Sequence, residues 1–126
     1  MREELEAKMF CQLLYKEGYV EGTSGNLSFR DRSRVKITRT GCTLDDPFFV
    51  DTESFEASSD VNLHKEIYRL TDSDWIFHVH KDLKLKFLLT DKDLDLHWFN
   101  VRDHGVWVGC GVDIKIYRIL EDEGIL

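Results

Sequence analysis

The stretch from Ala57 to His80, ASSDVNLHKEIYRLTDSDWIFHVH, constrains this chain more than any other. It starts as a helix and ends as a strand. Leu63, Ile67 and Leu70 recur at helical spacing behind Ser58 and Ser59, and serine is a favoured helix N-cap. Asp72-Ser73-Asp74 breaks that pattern, and Trp75-Ile76-Phe77 then reads as a short buried strand. A helix leading directly into a buried strand predicts a layered α/β or α+β sheet. The strand closes on His78-Val79-His80. Alternate residues of a strand share a face, so the two imidazoles aim at one point. Imidazole suits a divalent transition metal such as zinc. Two ligands are only half a site, and taken alone a His-x-His is more often an ordinary surface or core pair.

Composition narrows the function classes. The chain has 126 residues, enough for one domain with its own core, and we read 1–126 as a single domain. A hydrophobic content of 42% beside 33% charged residues excludes a disordered chain. A net charge of −7 argues against nucleic acid as a partner. No apolar run approaches the ~20 residues of a membrane span. The start, MREELEAK, has no apolar signal core, which places the expected location in the cytoplasm. Cys11, Cys42 and Cys110 form no CxxC and are odd in number, so we read them as small buried hydrophobes in a reducing compartment.

The remaining elements follow in order. Residues 2–17 predict a packing helix, with Leu5, Met9 and Leu13 beside Phe10 and Leu14, stopped at Gly18. Gly22-Thr23-Ser24-Gly25-Asn26-Leu27-Ser28 is a turn rich in donors, of the kind that can wrap an anion with backbone N–H groups or simply lead into a strand. Leu27–Arg30 and Arg34–Thr38 predict a hairpin about Asp31-Arg32-Ser33. Thr40-Gly41 is a second small turn, and Phe48–Asp51 a short strand. The helix start at Ser58-Ser59 could hold a phosphate or merely be capped, with Asp60 in its first turn. Lys81–Thr90 leans to helix, Leu96–Val101 to strand, Val106-Trp107-Val108 to strand after Asp103-His104-Gly105, and Val112–Glu123 to a last helix.

GTSGNLSFR, a TG turn, SSD before a helix with LHKEIY, HVH at a strand end and HG opening a later strand stand in that order. Together they resemble the class II aldolase/adducin family, whose enzymes include L-fuculose-phosphate aldolase and L-ribulose-phosphate epimerase. The resemblance runs from about Glu3 to Val112. It implies a three-layer αβα fold, with a central, mainly antiparallel sheet covered by helices. It also implies a zinc-type divalent metal held by His78, His80 and His104, three nitrogens that leave a catalytic position open. His97 competes for the third place but lacks the following glycine. His64 is expected to pack, or to support a ligand from behind.

By the same resemblance, substrate phosphate falls to Gly25, Asn26, Thr40, Gly41, Ser58 and Ser59. Asp60 stands where the family carries its acid/base glutamate. The implied function is a metal-dependent lyase that cleaves a phosphorylated sugar, or a related phosphorylated carbonyl compound, by retro-aldol chemistry. In that chemistry the metal is a Lewis acid and the carboxylate moves the proton. A sugar-phosphate epimerase, a dehydratase or a non-catalytic adducin-like module are the alternatives. Partners are then a phosphorylated small molecule and further copies of the chain in a homo-oligomer, without nucleic acid or membrane. Three departures stand out. Asp60 is one methylene shorter than glutamate, Arg39 replaces a proline, and the segment from His80 to His104 and the part after Val112 are short.

Overall fold

A computed structural model describes residues 2–16, 18–70, 75–78, 96–101 and 104–109, and for 96–101 and 104–109 the backbone alone. The first element is a helix, α1, over Arg2–Lys16. Glu3 and Glu4 lie in its first turn, where negative charge complements the exposed N–H groups. It ends where the sequence predicts. Gly18 takes a positive φ of 78°, its N–H bonds the Tyr15 carbonyl at 3.1 Å, and the Tyr19 N–H bonds that of Leu14 at 3.0 Å. That pair of bonds is a Schellman closure, which satisfies the last helical carbonyls.

Strands β1 (Asn26–Asp31) and β2 (Arg34–Thr38) form the expected hairpin. Its tip is tight: Asp31 pairs with Arg34, and Arg32 takes a left-handed φ of 58°. Strand β3 (Phe49–Asp51) adds to β2. Helix α2 covers Val61–Leu70, and β4 covers Trp75–His78. Strands β5 (Leu96–Val101) and β6 (His104–Gly109) complete the described sheet, whose order is β3-β2-β1-β4-β6-β5 with every pairing antiparallel. The last strand starts two residues earlier than its apolar run, taking in His104 and Gly105. The helices expected at Lys81–Thr90 and Val112–Glu123 lie outside the described residues.

The sheet is covered on both faces, and period-two alternation in β1 and β4 divides the work. Leu27 and Phe29 of β1 and Phe77 of β4 join Ala7, Phe10, Cys11 and Leu14 of α1 in one core, with Val20 and Leu44. Phe10 meets Phe77 and Trp75 edge-on, with ring centroids 4.9 and 5.4 Å apart. The intervening residues, Asn26 and Ser28 of β1 and Ile76 and His78 of β4, therefore project toward α2, and all four are buried. This is the three-layer αβα arrangement with a mainly antiparallel sheet. Cys11 is buried as expected, and burial pushes its thiol up. Cys42 is only half-buried, and Cys110 lies outside the described residues. Among the described residues, no helix is long and apolar enough to cross a membrane.

Candidate active site

One end of the sheet collects the candidate residues. Asn26, at the start of β1, pairs with His78, at the end of β4. Beside them, the chain after β2 runs antiparallel to the segment before α2. Arg39 bridges Ala57, the Ser58 N–H bonds the Thr38 carbonyl at 3.1 Å, and the Thr40 N–H bonds the Glu56 carbonyl at 2.8 Å. Thr38 in turn accepts the Leu27 N–H on its hydroxyl at 3.2 Å. The three donor-rich turns of the sequence, at Gly25-Asn26, Thr40-Gly41 and Ser58-Ser59, thus come to the same edge as His78.

Gly25 sits there for a reason visible in the backbone. Its φ is +82°, and an added Cβ would collide with the Val20 side chain and approach the His78 carbonyl to 3.2 Å. Thr40, Gly41 and Ser59 are exposed, whereas Ser58 and Asn26 are buried.

The helix start differs from expectation in one respect. Asp60 is not inside the first turn but is itself the capping position: its carbonyl accepts the His64 N–H at 3.2 Å, and the helix proper begins at Val61. The Ser58 hydroxyl accepts the Asp60 N–H at 3.4 Å. The capping position leaves the Asp60 carboxylate outside the helix, where it turns to the sheet. Its Oδ2 accepts from His78 Nδ1 at 2.8 Å and from the Asn26 amide at 2.7 Å. These donors, the His78 bond first, outweigh desolvation and hold the Asp60 carboxyl well below its ordinary 3.8, at about 2. Asp60 is therefore an ionised carboxylate at neutral pH. Its side chain is still 37% exposed, against 8% for His78, so one edge faces outward.

Behind this pair lies a polar chain that the motif reading did not single out. His64 of α2 is fully buried; its Nε2 meets the Asn26 Oδ1, and its Nδ1 meets the Ser28 hydroxyl at 2.6 Å. Ser28 also meets the Tyr68 hydroxyl at 2.9 Å. Burial, above all, lowers the His64 imidazole from 6.5 to about 3, so it is neutral at physiological pH. The signal was present in the periods: Asn26 and Ser28 are two apart on a strand, His64 and Tyr68 four apart on a helix. His64 accordingly lies behind Asp60, joined to it through Asn26.

The arrangement fits a metal as far as it is described. An imidazole whose Nδ1–H is held by a carboxylate presents its Nε2 lone pair to a ligand, the usual state of a metal-bound histidine, and the Nε2 of His78 is a buried atom. His80 lies outside the described residues, and His104 is placed only by its backbone, opposite Val101 at the start of β6. Among the described residues, no three metal-type side chains cluster.

Comparison with known proteins decides the family. Residues 7–106 match the model of the class II aldolase and adducin N-terminal domain. The chain belongs to the class II aldolase/adducin family. An L-fuculose phosphate aldolase of Methanococcus maripaludis is 35% identical over 96 residues, covering 68% of this chain and 53% of the relative. A methylthioribulose-1-phosphate dehydratase of Persephonella marina is 32% identical over 82 residues, 53% of this chain and 38% of the relative. The chain thus spans about half the length of the fuculose phosphate aldolases it matches. In three dimensions, the L-fuculose-1-phosphate aldolase of Thermus thermophilus superposes with a TM-score of 0.53 at 26% identity, covering 61% of this chain and 44% of that one. An aldolase II superfamily protein of Pseudomonas syringae gives a TM-score of 0.62 over 97% of this chain and 71% of that one; at 14% identity it speaks for the fold alone.

Proposed function

We propose that the chain is a metal-dependent aldolase that cleaves a phosphorylated sugar, or a related phosphorylated carbonyl compound, by retro-aldol chemistry. The observation that carries the reading is the Asp60–His78 contact at 2.8 Å: a carboxylate at a helix start, backing a buried histidine at a strand end. The ligands are His78, His80 and His104. Strand β4, which ends on His78, pairs with β6, which starts at His104. Three imidazoles suit a zinc-type ion with a position left open.

When bound, such an ion would supply a Lewis acid to polarise the substrate carbonyl. The chain's own residues do the rest. Gly25, Thr40, Gly41, Ser58 and Ser59 would anchor the phosphate at the sheet edge, small residues admitting it close to the backbone. Asn26 contributes there through its backbone, because its side-chain amide is committed to Asp60 and its carbonyl to His64. Asp60, ionised and open on one edge, is set to take a proton from the substrate hydroxyl and return it to carbon. A homo-oligomer in the cytoplasm is part of the same reading.

The test is aldehyde release from a panel of phosphorylated ketoses with zinc, cobalt or manganese, with and without chelator. Chelator-sensitive cleavage is expected, and Asp60→Asn should lower turnover at saturating metal by ~10²–10⁴-fold. Absence of cleavage across the panel, in protein shown to bind metal, overturns the aldolase reading. The dehydratase relative supports a second reaction on the same anchors, and loss of water with the carbon chain intact would establish it. A metal-free, inactive protein would leave the adducin-like, non-catalytic role.

A further inference from the structure

The polar chain behind Asp60 has one consistent direction. An ionised carboxylate only accepts hydrogen bonds, so the Asn26 group at 2.7 Å from Asp60 Oδ2 is its NH2. The Asn26 carbonyl then faces His64, and only an Nε2–H can serve it. A neutral imidazole protonated at Nε2 has its lone pair on Nδ1, so the Ser28 hydroxyl donates to it across 2.6 Å. The Ile76 carbonyl, 3.5 Å from Ser28 Oγ, is the far weaker acceptor, so the one proton goes to His64 and Ser28 accepts from the Tyr68 hydroxyl at 2.9 Å. On the other side, His78 approaches the same Asp60 oxygen with Nδ1 at 2.8 Å and therefore carries its proton there. The 3.4 Å approach of the Asn26 amide nitrogen to His78 Nδ1 is then two donors converging on one oxygen, not a hydrogen bond between them.

Neither reversal holds. With Asn26 as drawn, moving the His64 proton to Nδ1 would set two lone pairs face to face at the closest contact of the chain. Turning the Asn26 amide over as well would relieve that contact but set its carbonyl against the Asp60 carboxylate. Three elements meet here: α2 supplies His64 and Tyr68 and its cap supplies Asp60, β1 supplies Asn26 and Ser28, and β4 supplies His78.

We propose that His64 is a positioning residue of this site: through Asn26 it orients the Asp60 carboxylate, and so holds His78 with its proton on Nδ1 and Nε2 as the ligand nitrogen. His64 meets Asn26 and Ser28 through its two ring nitrogens. It acts by making one of two amide orientations of Asn26 satisfiable inside a buried space, where an unmet carbonyl is costly. The role rests on the reading that His78 and Asp60 belong to the metal site, but the direction of the chain does not.

Two measurements separate these. The first uses metal-free wild-type protein with 15N-labelled histidine at roughly pH 8, above the ordinary histidine range. Long-range proton–nitrogen spectra should show His64 protonated at Nε2 and His78 at Nδ1. The reverse tautomer of His64 overturns the proposal. The second is a Co2+ titration of wild type, His64→Leu and His64→Gln. Glutamine can donate to Asn26 from its amide and accept from Ser28 with its carbonyl; leucine can do neither. Loss of ~10-fold or more in Co2+ affinity is expected for His64→Leu, the scale of losing a partner behind a metal ligand, with His64→Gln within a few-fold of wild type. Equal affinities in all three overturn the positioning role. If wild type binds no Co2+, the metal reading fails, and the tautomers alone then uphold or overturn the chain. They also decide it should His64→Leu fail to fold.

Discussion

The two faces of the central sheet are built from the same strands and obey different rules. Toward α1, β1 and β4 present Leu27, Phe29 and Phe77, which meet Phe10, Cys11 and Leu14 in a dry core with edge-to-face rings. Toward α2, the very next residues are Asn26, Ser28 and His78, equally buried but joined to His64, Tyr68 and Asp60 by hydrogen bonds. The apolar face tolerates imprecise geometry, because dispersion and water exclusion are not directional. The polar face does not, because each buried donor needs its own acceptor. The sheet thus draws stability from one side and holds a preorganised set of polar groups on the other. One β-strand can serve both because its side chains alternate.

Replacement of Phe77 by alanine strikes the apolar face at its centre and should have the largest effect. Phe77 is fully buried against Phe10. The loss expected for such a phenylalanine is about 3–5 kcal/mol, transfer and cavity terms together. Denaturant unfolding would measure it. A loss under about 1 kcal/mol would mean the α1 face is not where the stability lies, and the contrast between the faces would collapse.

Ser28→Ala probes the polar face one residue along from Phe29. It leaves His64 Nδ1 and the Tyr68 hydroxyl without the serine between them. The cost expected of stranding buried polar groups is about 1–3 kcal/mol. A neutral or stabilising result would show that the polar chain is dispensable to folding, and would sharpen the contrast by assigning that face to function alone.

Much of this was legible in the sequence, for reasons that differ by face. The α1 helix, its Gly18 stop and the Arg32-Ser33 hairpin tip are local signals, and the structure places each where the pattern predicts; of the expected packing face, Phe10 and Leu14 are core, whereas Leu5 and Met9 are exposed. The αβα layering followed from the resemblance rather than from periodicity. On the polar face, motif order picked out Asn26, Asp60 and His78, but not that Asn26 would turn its amide on Asp60, nor that Asp60 would be the helix cap. Those depend on which of several competing donors a buried carboxylate meets, a contact between residues 34 apart in sequence. The periods set Ser28 beside Asn26 and Tyr68 beside His64, but the bonds that join them were unreadable for the same reason. A serine in a strand and a tyrosine in an apolar helix face are ordinary until a buried histidine comes between them.

The last expected effect vanishes at neutral pH and is the most specific, because it grows only as pH falls. His64 is neutral in the folded state, lowered from 6.5 to about 3; burial is the main cause, the His78 imidazole adds to it and the Asp60 carboxylate opposes it. Above pH 6.5 neither folded nor unfolded His64 is protonated, and its contribution to stability is intact. Below 6.5 the unfolded chain takes up a proton that the folded site refuses, so stability falls by about 1.4 kcal/mol per pH unit until about pH 3. Asp60 works in a separate window, its stabilisation fading only as pH drops from 3.8 through about 2. Metal-free wild type and His64→Gln should therefore converge in pH dependence above 6.5 and diverge between 6.5 and 4, with wild type steeper. The apolar face has no such dependence, and Phe77→Ala should shift the whole profile without changing its slope there. If wild type and His64→Gln ran parallel down to pH 4, the buried imidazole would be taking its proton in the folded state. The polar face would then be open to water, and the two faces would differ less than their hydrogen bonds imply.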